Sequence, residues 1–123
     1  MRIVGTTGDE LINGTSADDE IYGLEGNDQI GGGTGADFID GGSGNDILAG
    51  HAGADILYGW NGDDQLWGYD DNDQIYGGDG TDRLDGGAGD DELTGGGGAD
   101  RLFGGAGADQ MYGESGNDVL RGG

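Results

Sequence analysis

The chain has 123 residues, 34 of them Gly, with no Pro and no Cys, and its 26 acidic residues against 4 Arg give a formal charge of −22. This composition excludes a zinc finger, a disulfide framework, a thiol redox site and a lysine-dependent phosphate loop, and it makes nucleic acid an unsuitable partner. Leu, Ile, Val and Phe supply only 21 residues, a poverty of apolar side chains that, beside high net charge, leaves a chain disordered unless something helps it fold.

In chain order, residues 1–4 form a short lead-in. Met1 to Ile12 holds one Arg and no apolar run of the signal-peptide kind. No apolar run anywhere approaches the ~18 residues of a membrane-spanning helix. From Gly5 a Gly recurs every nine residues without a break, through Gly14 and Gly23 to Gly113, and again at Gly122. Residues 5–121 are therefore 13 repeats of nine, and 122–123 open a truncated or continuing one. Position 1 is Gly in all 13. Position 4 is Gly in 11, with Ala17 and Asp71 as the exceptions. Position 6 is Asp in 12, with Glu10 in the first repeat, and position 8 is always Ile, Leu or Met. Positions 2, 3, 5, 7 and 9 vary.

Each fixed column has a physical task. Gly at positions 1 and 4 permits backbone angles that side chains forbid and lets backbones approach closely. Six residues such as Gly41–Asp46 thus read as a turn, and Ile47-Leu48-Ala49 as a three-residue strand with Leu48 facing inward. Thirteen such strands form a solenoid with two repeats per coil and a sheet on each side. Stacked coils place position-6 carboxylates ~4.8 Å apart. Like charges at that separation repel unless a cation lies between them. Carboxylates beside backbone carbonyls are hard oxygen donors, which suit Ca²⁺ better than Zn²⁺ or Mg²⁺.

The pattern Gly-Gly-x-Gly-x-Asp-x-(aliphatic)-x resembles the nonapeptide of the repeats-in-toxin (RTX) family, a known Ca²⁺-binding repeat. Gly41–Ala49, Gly77–Asp85, Gly86–Thr94, Gly95–Phe103 and Gly104–Tyr112 carry it in full. The resemblance implies an all-β, right-handed parallel β-roll in which Ca²⁺ lies between successive turns. It implies as ligands Asp19, Asp28, Asp37, Asp46, Asp55, Asp64, Asp73, Asp82, Asp91, Asp100, Asp109 and Asp118, together with turn carbonyls. Stacked repeats are 18 residues apart, so seven odd and six even repeats leave at most 6 and 5 interturn sites, 11 in all. Glu10, Ala17 and Asp71 depart from the motif.

The resemblance also implies type I secretion and a protein that folds on meeting extracellular Ca²⁺. In the family a catalytic domain and a secretion signal usually accompany the repeats, and neither is recognisable here. Twelve equivalent Asp residues are the pattern of ligands rather than of a general acid and base, and Ser16, Ser43, Ser115 and His51 form no nucleophile motif. No catalysis is expected.

Six aromatics occupy position 9: Tyr22, Tyr58, Trp67, Tyr76, Phe103 and Tyr112. Tyr58 and Tyr76, 18 apart, are predicted to stack on one face near Phe38. That face reads as cross-strand support or as a contact surface for a partner, a sugar or a second copy. Arg83 and Arg101 fall on the opposite face, near Asp85. The main functional reading is a non-enzymatic calcium-binding module. The alternative is a structural protein whose solenoid stacks end to end into Ca²⁺-stabilised extracellular filaments.

Overall fold

The structure, a computed structural model, describes residues 1–123. Fourteen strands follow one another without a helix. The first two are short, β1 (Arg2–Val4) and β2 (Leu11–Asn13). Then come β3 (Glu20–Glu25), β4 (Gln29–Thr34), β5 (Phe38–Ser43), β6 (Ile47–Ala52), β7 (Ile56–Asn61) and β8 (Gln65–Asp70). The series continues with β9 (Gln74–Asp79), β10 (Arg83–Ala88), β11 (Glu92–Gly97), β12 (Arg101–Ala106), β13 (Gln110–Ser115) and a short β14 (Val119–Arg121). Odd strands form one seven-stranded sheet and even strands a second. All pairing is parallel, with partners 18 residues apart. Leu57, for example, lies beside Ile39 on one side and Ile75 on the other. The result is a parallel β-solenoid of about seven turns, as the nine-residue period predicts.

The structure adds one local feature and corrects another. The lead-in at residues 1–4 contains a strand, since Ile3 takes a position-8 place beside Ile21. Strands β3 to β13 are six residues long rather than three, because ladder pairing resumes at positions 2 and 3 beyond the position-1 glycine. The turn shrinks to positions 4–6.

The 30 buried residues are three columns and nothing else. They are the ten aliphatics from Ile21 to Leu102, the ten Asp from Asp19 to Asp100 and ten position-1 glycines from Gly23 to Gly104. Alternation along each strand turns positions 8 and 1 inward and positions 7, 9 and 2 outward. Ile3, Ile12 and Met111 extend the aliphatic stack toward its ends.

Of the two roles predicted for the inward glycine, backbone freedom and close approach, it serves only the second. Positive φ falls at positions 2 and 4, not at position 1. Position 1 is glycine because the space for a side chain is already filled. A Cβ at Gly77 would sit 2.5 Å from Asp82 Oδ2 and 2.7 Å from the Gly95 carbonyl. Position 2, which looked free to vary, takes a left-handed backbone in every repeat from Leu24 onward. Leu24, His51, Trp60, Tyr69 and Glu114 adopt it, with φ between 69° and 86°, despite the steric cost to any residue with a Cβ. Asp71 does the same in the position-4 column, at φ 77°, and the register continues through it undisturbed.

Candidate metal centre

Each turn delivers its position-6 carboxylate inward, beneath the position-1 glycine of its own repeat. From Asp28 onward, Oδ1 of each Asp then accepts a hydrogen bond from the amide of the position-6 residue one coil earlier. Along one edge the Glu10, Asp28 and Asp46 amides donate to Asp28, Asp46 and Asp64 at 2.9, 2.8 and 2.7 Å. That edge continues from Asp64 to Asp82, Asp82 to Asp100 and Asp100 to Asp118 at 2.8, 2.9 and 3.0 Å. The other edge runs Asp19 to Asp37, Asp37 to Asp55, Asp55 to Asp73 and Asp73 to Asp91, each at 2.8 Å, and Asp91 to Asp109 at 3.1 Å. All twelve Asp singled out from the sequence therefore stand in two ladders. Asp19 to Asp100 are buried, while Asp109 and Asp118, in the last turn, are half-buried.

The second oxygen is the informative one. Oδ2 of Asp28, Asp37, Asp46, Asp55, Asp64, Asp73, Asp82, Asp91, Asp100 and Asp109 is buried and has no hydrogen-bond partner. A carboxylate oxygen can only accept, and a buried orphan of this kind is expensive. Two events can satisfy it: a proton on the carboxylate itself, or a cation. Burial, the largest cause, pushes Asp64 and Asp73 up to about 7, and Asp55 and Asp82 up to about 6. Neighbouring Asp carboxylates in the ladder add to the rise, and the amide bond to Oδ1 opposes it. Burial also raises Asp28, Asp37, Asp46, Asp91 and Asp100.

The first coil is built differently. Asp19 is lowered, chiefly by its hydrogen bond with the Met1 ammonium, which lies 2.8 Å from Oδ1. Its Oδ2 accepts from the Thr15 amide at 2.6 Å. Glu10 accepts from the amide and hydroxyl of Thr6. In these two repeats the Thr at position 2 meets the carboxylate, and neither Thr takes positive φ.

The remaining oxygen donors are backbone. No three His, Cys, Asp or Glu side chains converge on one point, so a cation here would draw most of its ligands from carbonyls. The turn carbonyls of Gly26, Gly44, Gly62 and Gly80 accept no backbone hydrogen bond. Each is so close to the next coil that a Cβ on the position-4 glycine above would collide with it. Orphaned carboxylate oxygens and unengaged carbonyls between coils are the donor set of Ca²⁺, which takes six to eight oxygens in flexible geometry. The residues present fit the ion. With no imidazole or thiolate among them, they fit Zn²⁺ poorly.

A second ladder was not anticipated. Side chains at position 5 accept from the amide one coil later, as in Asp9 to Asn27, Asn27 to Asn45, Asn45 to Asp63 and Asp63 to Thr81, at 2.7–2.9 Å. On the other edge, Asp90 and Ala108 donate to Asn72 and Asp90, both at 2.8 Å. The signal was present: position 5 is Asp or Asn in eight of 13 repeats. It was hidden by the four Ala and one Thr that share the column.

The raised carboxylates set the pH response of the metal-free chain. Their folded-state pKa values lie above the unfolded value of ~4, so the fold binds protons more readily than the coil does. Metal-free stability is greatest below pH ~4 and is lost as pH rises through 6–7. In excess chelator, the circular dichroism strand signal should therefore grow as pH is lowered from 7.5 to 4. A signal that falls over that range would contradict it.

The aromatic prediction holds. Tyr58 and Tyr76 stack at 4.7 Å and 9°, and Phe38 packs on Tyr58 at 5.7 Å. On the other sheet Arg83 pairs with Asp85 at 3.3 Å and lies over Phe103. His51 is exposed and stacks on Tyr69. No helix is long and apolar enough to cross a membrane.

No curated protein gives a significant match to the chain. A family model for the RTX calcium-binding nonapeptide repeat matches in six overlapping stretches, residues 4–39, 31–66, 40–75, 58–93, 76–111 and 94–123. The nine-residue period, the two-sheet parallel solenoid and the buried Asp ladders agree with that match along almost the whole length, and the chain belongs to the RTX calcium-binding repeat family.

Proposed function

We propose that this chain is a non-enzymatic module that folds on binding Ca²⁺ between successive turns. The ligands in this reading are the Asp residues from Asp19 to Asp118 and the adjoining turn carbonyls, with a ceiling of 11 sites. The observation that carries it is the column of ten buried Oδ2 atoms without partners. Without a cation each is a penalty at neutral pH. With one, the same atoms become the strongest interactions in a solenoid whose apolar core is one aliphatic side chain per repeat. Binding and folding are then one event, as in other small metal-dependent domains. Low cytosolic Ca²⁺ keeps the chain unfolded for export, and millimolar Ca²⁺ outside the cell folds it.

Circular dichroism in a Ca²⁺ titration tests this. The spectrum in excess chelator at pH 7.5 should lack strand signal, millimolar Ca²⁺ should restore it cooperatively, and Mg²⁺ at the same concentration should not. A full strand signal in chelator at that pH overturns the proposal.

A further inference from the structure

The outer face of the odd-numbered sheet carries a feature that calcium binding does not use. Its position-2 column reads Leu24, Gly42, Trp60, Gly78, Gly96 and Glu114 in adjacent strands. Every member has φ between 69° and 110°. Glycine is the natural occupant of such a backbone, and three of the six are glycine. Trp60 and Glu114 sit there against that preference. Strain of this kind persists where a side chain has another task.

Between them, Gly78 and Gly96 leave a trough of about 180 Å³. The glycines are its floor. Tyr58, Trp60 and Tyr76 form one wall, Thr94 contributes a hydroxyl, and Glu114 closes the far end. The wall is a continuous stack, with Trp60 against Tyr58 at 5.6 Å and 22° and Tyr58 against Tyr76 at 4.7 Å and 9°. Trp60 remains 51% exposed. A shallower groove shares the same floor and runs on past Asn61, Asp79 and Ser115.

The electrostatics of the trough point one way. Glu114 lines it, Asp79 lies along its extension, and no Arg is among the lining residues. Arg2 is at the far end of the sheet beside Tyr22, and Arg83, Arg101 and Arg121 belong to the even-numbered sheet. Flat aromatic faces pack against rings, and their negative quadrupole attracts cations. An open trough that continues along the sheet suits a unit within a polymer. We propose that this trough binds a protonated amino-sugar unit of a glycan, its ring against Trp60 and Tyr76 and its ammonium toward Glu114.

The test is calorimetric titration with tetraglucosamine at pH 6.5 in saturating Ca²⁺, on protein whose circular dichroism shows the strands. A failure of the calcium-dependent folding reading thus leaves it intact. Trp60→Gly and Glu114→Gly place at each position the residue its φ favours, so both variants should keep the fold. Trp60→Gly should weaken binding at least tenfold. Glu114→Gly should weaken tetraglucosamine severalfold and leave any weak binding of neutral cellotetraose unchanged. Trp67→Ala, on the other sheet, should change neither. Undetectable binding overturns the proposal. Binding unaltered by Trp60→Gly also overturns it, since that marks general attraction to an acidic surface. Equal affinity for cellotetraose or for a tetralysine peptide rejects the amino-sugar assignment.

Discussion

Asp64→Ala should lower the stability of the calcium-loaded fold by about 1–3 kcal/mol before any lost ligand is counted. The Asp46 amide donates to Asp64 Oδ1 at 2.7 Å, and alanine leaves that donor buried without an acceptor. The Oδ2 of the same residue disappears as well, and with it an oxygen that the proposed interturn Ca²⁺ would use. The midpoint Ca²⁺ concentration for folding should rise on the order of tenfold or more. Asp79→Ala is the control, because Asp79 is exposed and outside both position-6 ladders. Asp64→Asn separates charge from hydrogen bonding. Its amide oxygen can still serve the Asp46 amide, but the charge is gone, whose burial pushes Asp64 up to about 7. Without metal, Asn should move the acid-induced strand transition to higher pH. With metal, it should raise the folding midpoint. Opposite signs in the two media are the expected result, read by circular dichroism. The same sign in both would refute the assignment of Asp64 as a ligand.

Gly77→Ala should be nearly as damaging, by a different route. A methyl group there would stand 2.5 Å from Asp82 Oδ2 and 2.7 Å from the Gly95 carbonyl of the next coil. Neither can withdraw: one is a buried carboxylate held through its Oδ1, the other is backbone. Overpacking of a tight interior costs about 1–3 kcal/mol, and the methyl also fills the space into which the orphaned oxygen points. Gly31→Ala is the counterpart. Nothing lies nearer than 3.4 Å to a Cβ at Gly31, and its φ is ordinary. That change should be neutral, or should stabilise by up to ~1 kcal/mol by narrowing the unfolded ensemble. Thermal melts in saturating Ca²⁺ compare the two. A Gly77→Ala protein that melts like the Gly31→Ala one would show that the coils can spread, contrary to the packing described.

The period of nine was enough to place Leu57 beside Ile39 and Ile75, Tyr58 beside Tyr76, and Asp64 between Asp46 and Asp82, because a strict repeat fixes register without knowledge of the turn. What it could not convey was backbone conformation. Position 2 holds Thr, Leu, Gly, His, Trp, Tyr and Glu, a mixture that hides the left-handed φ shared by most of them. Position 1 is invariant, which is compatible with conformational freedom and with close approach alike, and its glycines serve only the second. A glycine column looks the same in either case. The strands were predicted too short for a related reason. Gly41-Gly42-Ser43 has little strand propensity of its own, and it is extended because Gly23-Leu24-Glu25 and Gly59-Trp60-Asn61 lie alongside. The position-5 ladder was lost because alanine can donate its amide to a neighbour's side chain without carrying an acceptor itself, as Ala36 does to Asp18.

Two repeats per coil gives the solenoid a parity. Position 8 is inward and position 6 enters a ladder whichever sheet a repeat joins. A gene that gained nine codons in mid-chain would keep its aliphatic file and its carboxylate ladders. It would nevertheless transfer every downstream repeat to the opposite face. Tyr76 would part from Tyr58, Gly78 and Gly96 from Trp60, and Arg83 would arrive where Glu92 had been. A gain of eighteen codons transfers nothing. The interior thus tolerates duplication by single repeats, whereas the decorated faces can be inherited intact only through duplication by pairs.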